Sequence, residues 1–316
     1  MKDALHLPGG NRFDDMRINL PAAYRDQDAK LATLARKSVR RGVVSNTARL
    51  ADFAAARRLK LHDMRVDTGL SRGWFDPFAD YWVYTLGGRP VTLTEFHSLR
   101  FQYRMRNQKM TDFTWDNDAA HIDNWQRPEN ITFTMQLLYR QALNPVRWRG
   151  LWRHIKPGMR VLEYGCALAP MYATWRSFLS HRNVTWTLAD IQNFPFHYAR
   201  HLYGADLEAE LVSIPTDRLD SPLDDRHTGY DVIFIQEVFE HLHEPRHIAT
   251  YLLDRLKPKG LLVFDYISSE ASGLDTPSGL AQRLPTLALL ADRLEIIEGR
   301  FEVSQKSLGL CIGRLK

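Results

Sequence analysis

"VLEYGCALAP", residues 161–170, decides how the rest of the chain is read. Val161 and Leu162 read as a buried strand that ends on an acid, Glu163, and breaks at Gly165. The small residues Ala167 and Ala169 follow, and Pro170, with its fixed φ, opens a helix. A strand, a turn of small residues and a helix form the unit that cradles a cofactor in parallel α/β proteins. Most such turns offer three glycines; this one offers Gly165 alone.

Downstream of 158, short apolar runs recur with helix-length segments between most of them: 159–165, 184–190, 209–214, 230–236 and 260–267. That alternation predicts βαβ units and a parallel sheet, and the near-continuous apolar character predicts strands covered on both faces. Two further runs, "RLEIIEGRF" (293–301) and "LGLCIGRL" (308–315), are six residues apart. No crossover helix fits that gap, so the pair must be an antiparallel hairpin. The expected fold is therefore α/β: a doubly wound, mostly parallel seven-stranded sheet with an antiparallel C-terminal hairpin.

A ligand of such a sheet binds beyond the carboxyl ends of the strands, where strand order reverses. The turn from Glu163 to Pro170 then faces the cofactor. Asp190, 27 residues after Glu163 at the end of the second strand, is placed to accept both hydroxyls of a ribose. A helix N-cap is the competing role for that carboxylate. The glycine count separates the cofactors. A dinucleotide sets its pyrophosphate on bare amides at the helix start and uses G-x-G-x-x-G. Here the pattern is G-C-A-L-A-P, and Pro170 removes one of those amides. S-adenosylmethionine carries no phosphate and needs only close approach and a few hydrogen bonds, so the turn favours it over NAD.

With these residues in place, 159–315 resembles the class I, Rossmann-like S-adenosylmethionine-dependent methyltransferases of the small-molecule type. Glu163 and Gly165 match the first motif, from which Ala167 and Ala169 depart. Asp190, ending "WTLAD", matches the ribose-binding acid. "YDVIFIQEVFEHLHEPRHIATYLLDRLKPKGLLVFD" (230–265) is similar to the fourth strand, helix and fifth strand, with "EHL" and "LKPKG" at their usual places. The resemblance implies that Glu163, Gly165 and Ala167 lie at the methionine end. It implies that Asp190 and Ile191 hold the ribose and flank the adenine, and that Gln236 lines the floor near the sulfonium. Asp217, after the third strand, is implied at the adenine amino group, with a solvated loop carboxylate as its alternative.

Methyl transfer needs the acceptor aligned with the carbon–sulfur bond and, for an oxygen acceptor, removal of a proton. His241, just after the fourth strand, is the candidate base, as in plant-type O-methyltransferases that the segment resembles; a structural histidine pinning the loop is the competing role. His243, Glu244 and His247 join it in "HLHEPRH" (241–247), but nothing in a loop leading into a helix forces metal ligands to converge, and no metal is expected.

Composition sets the broader frame. The chain has 316 residues, 44% hydrophobic and 25% charged, ordinary for a globular protein. Its start, "MKDALHLPGGNRFDD", has no apolar core like a signal peptide, and no apolar run approaches the roughly 18 residues that span a bilayer. Cys166 and Cys311 follow no metal or redox spacing, so a reducing, cytoplasmic setting is expected. The net charge of +5 is uneven: residues 1–150 hold 24 basic and 16 acidic residues, the remainder 18 and 21. Residues 30–60 alone carry nine basic residues and one acid.

The join is expected within 145–158, giving a mainly helical cap over 1–145 and a methyltransferase domain over 146–316. The cap is expected to recognise the acceptor. The aromatic and acidic stretches 74–86 and 113–125 either close the cleft, with His121 or Asp118 meeting the acceptor, or build the cap's own core. His97 reads as an ordinary helix residue. "ITFTMQLLYRQAL" (131–143) reads as an amphipathic helix. The basic stretch fits phosphates, an acidic carrier protein, an anionic substrate or plain solvated surface. An RNA methyltransferase is the alternative it raises, but no RNA-binding module and no Asn-Pro-Pro-Tyr-type motif accompanies it. "IQEVFEHL" favours oxygen or carbon acceptors instead. A non-catalytic S-adenosylmethionine-binding protein is a third reading, suggested by the two alanines. The expected function is O-methylation of a small molecule: a sugar, a phenol or a carrier-bound intermediate.

Overall fold

The computed structural model describes residues 75–88, 90–91, 96, 122, 125–126, 131–141, 150–180, 183–268, 275–304 and 306–316. The calls on His97, Asp118, His121 and the basic stretch 30–60 lie outside the described residues.

Seven strands form one sheet: β1 (Arg160–Tyr164), β2 (Thr185–Ile191), β3 (Ala209–Ile214), β4 (Tyr230–Ile235), β5 (Leu256–Tyr266), β6 (Leu294–Glu298) and β7 (Leu308–Leu315). Their order is β3-β2-β1-β4-β5-β7-β6. β1 to β5 pair in parallel, and β7 runs antiparallel to both β5 and β6. The hairpin read from spacing is present, although β6 stops at Glu298, before Gly299 at φ +93°. The described helices are α1 (Asp76–Asp80), continued by a π-turn over Tyr81–Thr85, then α2 (Ile131–Gln141), α3 (Pro170–Phe178), α4 (Phe194–Tyr203), α5 (Pro245–Leu253), α6 (Pro277–Ala281) and α7 (Arg283–Arg293).

Alternate residues of each strand feed opposite faces of the sheet. Leu162, Ile233, Ile235, Leu262 and Phe264 pack on one face against Ile248 and Leu252 of α5 and Leu287 and Leu290 of α7. Val161, Trp186, Leu188, Val232, Phe234 and Val263 pack on the other against Tyr172 and Trp175 of α3 and Phe196 and Tyr203 of α4. Trp186 stacks on Phe234, with ring centroids 6.0 Å apart and planes 12° apart. Buried aliphatic and aromatic side chains of this kind contribute about 1.5–3 kcal/mol each, so both layers are required.

A third cluster attaches the amino-terminal elements. Phe75, Phe78, Tyr81, Trp82, Phe96, Ile131, Met135 and Leu138 close over Leu168, from the turn after β1, and over Phe194 and Tyr198 of α4. α4 therefore faces two ways: Phe196, Ala199 and Tyr203 toward the sheet, Phe194 and Tyr198 toward these elements. The Tyr81 hydroxyl meets His197 Nδ1 at 2.7 Å in the buried seam. In 74–86 the aromatics Phe75, Phe78, Tyr81 and Trp82 thus serve as core, the plainer of the two roles open to them. No described helix is long and apolar enough to cross a membrane.

Candidate active site at the carboxyl edge

Sheet order reverses between β1 and β4, which places the turn 165–169 and the start of α3 at the crevice beyond the strand ends. Gly165 has φ +65°, and a Cβ there would overlap the Val238 side chain. Ala167 and Ala169 stand at φ +49° and +50°, left-handed conformations that glycine adopts without strain. The turn keeps the backbone path of a glycine-rich loop while carrying alanines, a strain held in place by its surroundings.

Glu163 is buried, and its carboxylate serves the helix that follows. Oε1 accepts the Met171 amide and Oε2 the Tyr172 amide, each at 3.0 Å. Burial raises its pKa to about 8, against the lowering pull of those two amides. Asp190 is also buried; Oδ2 accepts the Ala167 amide at 2.6 Å and Oδ1 the Asn193 side-chain amide at 3.1 Å. Burial raises its pKa to about 7, and the bonds from Ala167, Ile191 and Asn193 oppose the rise. The N-cap of α4 is Asn193, whose side chain accepts the Phe196 amide at 2.9 Å. The capping role weighed for Asp190 belongs to Asn193, and Asp190 instead clasps the turn.

Ile191 ends β2, partly exposed. Gln236 follows β4, and its Nε2 is buried with no hydrogen-bond partner among the described residues. Asp217 is exposed in the loop after β3. Glu163, Gly165, Ala167, Asp190, Ile191 and Gln236 all lie at or just beyond the carboxyl ends of β1, β2 and β4.

These residues fit a phosphate-free cofactor. Pro170 has no amide hydrogen, and the next two amides of α3 are already taken by Glu163. A pyrophosphate would meet a buried carboxyl group instead of free donors. The adenosine and methionine portions of S-adenosylmethionine require no such donors.

On the acceptor side, the turn Phe239–His241 follows β4. His241 Nε2 is 4.0 Å from Glu240 Oε1, and its ring meets the Trp125 ring edge-on at 5.4 Å. Glu240 was not singled out by sequence reasoning. It is 1% exposed, and burial first, then the nearby Asp265, Asp275 and Glu237, raises its pKa to about 9. The start of α6 secures this turn. The Thr276 amide donates to Glu240 O at 2.9 Å, Thr276 Oγ1 to Leu242 O at 2.8 Å, and Gln282 Nε2 to His243 O at 3.0 Å. Thr276 also caps α6 by accepting the Gly279 amide. "TPSG" (276–279) is a readable helix start, with an N-cap threonine followed by proline, but its attachment to 240–243 is not local information. His247 Nε2 lies 2.7 Å from Asp220 O, and Glu244 accepts from Gln282, so these side chains of the "HLHEPRH" segment face separate partners. Among the described residues, no three metal-ligating side chains gather.

A family model described as a methyltransferase domain matches residues 135–309, more than half of the chain. Among solved structures, the chain is similar to a SAM dependent methyltransferase from Aquifex aeolicus, at 16% identity over 63% of this chain and 99% of that one, with a TM-score of 0.40. It is similar to an O-methyltransferase family protein from Burkholderia thailandensis, at 12% identity over 72% and 74%, TM-score 0.43. A SAH-bound methyltransferase from Podospora anserina is similar at 15% identity over 68% and 94%, TM-score 0.41. No curated protein matches the sequence. With a family model covering residues 135–309 and a sheet of the expected order, the chain belongs to the methyltransferase domain family, as an enzyme of the class I S-adenosylmethionine-dependent type.

Proposed function

We propose that this methyltransferase acts on a hydroxyl group of a small molecule, with His241 taking the hydroxyl proton. The seat of His241 is the observation that supports the reading. It lies beyond β4, between the Trp125 ring and Glu240, on a turn held by Thr276.

Bound S-adenosylmethionine supplies a methyl carbon activated by its positive sulfonium. Asp190 anchors the ribose while its bond to the Ala167 amide fixes the turn beside it. Gln236, with a buried and unpaired Nε2, is placed to donate at the floor. His241 holds the acceptor oxygen in line and removes its proton as the new bond forms, a contribution of about 10²–10⁴ in rate. The cap elements seated on Leu168, Phe194 and Tyr198 border the acceptor side and exclude water from it.

Release of S-adenosylhomocysteine from a screen of hydroxylated metabolites tests the reaction, and His241→Asn tests the base. The variant should lose at least about 100-fold in kcat with S-adenosylhomocysteine affinity unchanged. An unchanged kcat would overturn the assignment of His241.

A further inference from the structure

Two aromatic rings of the amino-terminal segment differ from the others. Phe75, Phe78, Tyr81, Trp82 and Phe96 are buried among themselves and against α4. Trp125 and Phe133 keep part of their surface exposed, with ring centroids 5.4 Å apart. On α2 the buried stripe is Ile131, Thr134, Met135 and Leu138, at helical spacing. Phe133 stands outside that stripe, so its ring is not committed to the cap core. The Trp125 ring also meets His241 at 5.4 Å with planes 66° apart. An indole and a phenyl ring thus make a short wall that begins at His241.

The charge around that wall is negative. Glu240 Oε1 is 4.0 Å from His241 Nε2, and Asp265, Asp275 and Glu237 all act on Glu240. Arg283, its guanidinium 5.4 Å from the Tyr266 ring centroid, is a cation coupled to this group. Three further carboxyl groups around Glu240 disfavour an anionic acceptor at His241.

We infer that the acceptor is a planar aromatic hydroxy compound with no carboxylate or phosphate beside the reacting hydroxyl, stacked on Trp125 with that hydroxyl turned to His241. The inference rests on the reading of His241 given above and narrows its substrate class. Offset or edge-on contact with indole and phenyl rings favours a flat π-system over a saturated ring. A phenol, with a pKa near about 10, also gives up its proton to an imidazole far more readily than an aliphatic alcohol does. In the step, the phenolic oxygen bonds to the methyl carbon as the carbon–sulfur bond breaks, its electron pair staying on sulfur. The phenolic proton passes to His241, so the positive charge moves from sulfonium to imidazolium.

The test uses the full chain with S-adenosylmethionine and three matched acceptor sets. These are neutral monocyclic and bicyclic phenols, their ring-hydrogenated alcohols, and the same phenols bearing a carboxylate next to the hydroxyl. Methylation of neutral phenols should exceed that of either other set at least tenfold in kcat/KM. With the best phenol, Trp125→Ala should raise KM about tenfold while kcat changes less than threefold, and Trp125→Phe should restore most of the loss. Equal or better turnover of the saturated or carboxylated sets, or a KM indifferent to Trp125→Ala, would overturn the inference while leaving hydroxyl methylation standing. No methylation in any set, with S-adenosylmethionine binding demonstrated by calorimetry, would overturn both this inference and the hydroxyl reading beneath it.

Discussion

Ala167 holds φ at +49°, where the Cβ of an L-residue crowds the following carbonyl oxygen, and exchanging it for glycine removes that clash. The strain is about 1–2 kcal/mol, against which glycine loses about 0.4–1 kcal/mol through the greater freedom of the unfolded chain. Ala167 is only partly buried, and its amide bond to Asp190 survives the change. Ala167→Gly should therefore stabilise the protein by about 0.5–1 kcal/mol, raising Tm by about 2–4 °C per kcal/mol. Ala169 provides the contrast. It has nearly the same φ, +50°, but is fully buried in the sheet core. Losing its methyl group forfeits about 0.8 kcal/mol of burial, so Ala169→Gly should be close to neutral. Ala167→Val, β-branched in a left-handed position, should lower Tm. Thermal unfolding followed by circular dichroism, with urea denaturation as a second measure, reads all three. A fall in Tm for Ala167→Gly, or equal rises for both glycine variants, would refute the reasoning.

Three further outcomes are expected. Asp190→Asn removes the charge that would serve the ribose hydroxyls, and S-adenosylhomocysteine affinity measured by calorimetry should drop about 30-fold or more, about 2 kcal/mol; unchanged affinity would remove Asp190 from the cofactor site. Asp190 and Glu163 titrate at about 7 and about 8 in the folded chain, above their ordinary 3.8 and 4.5. Between about pH 4 and 8 the folded state therefore binds more protons than the unfolded one, and stability falls as pH rises through that window. Tm of the cofactor-free protein should decline over it and Glu163→Gln should flatten the upper part; a rising Tm would contradict the burial of these two acids. Gly279→Ala would drive a Cβ into the Glu240 carbonyl and to 2.7 Å from Thr276 Oγ1. It should displace the turn that carries His241, lowering turnover with cofactor affinity kept, and full activity would show that α6 does not position the acceptor side.

How far the sequence could be read depended on whether a signal was local. The strand runs were legible because apolar continuity reports burial on both faces, as Leu162 and Val161 do by packing on opposite sides of the sheet. The amphipathic helix at 131–141 was legible from its 3.6-residue period. The candidate cofactor residues were legible as strand-end positions, and the structure brings Glu163, Gly165, Ala167, Asp190, Ile191 and Gln236 to one edge. Glu240 and Thr276 were not, because a buried carboxyl group and a capping threonine look like any others until their partners are known.

By itself the sequence determined the succession of strands and helices, the hairpin that no crossover can replace, and a cofactor turn without free amides for a phosphate. Each of these follows from spacing of a few residues, or from the chemistry of one residue such as Pro170. Tertiary structure decided what each carboxylate does: Glu163 given to the amides of α3, Asp190 to the turn, and Asn193 to the cap of α4. It also decided that Tyr81 meets His197, 116 residues away, and that Trp125 meets His241. Such pairs form only when packed layers bring distant segments together, and no local period or propensity records them.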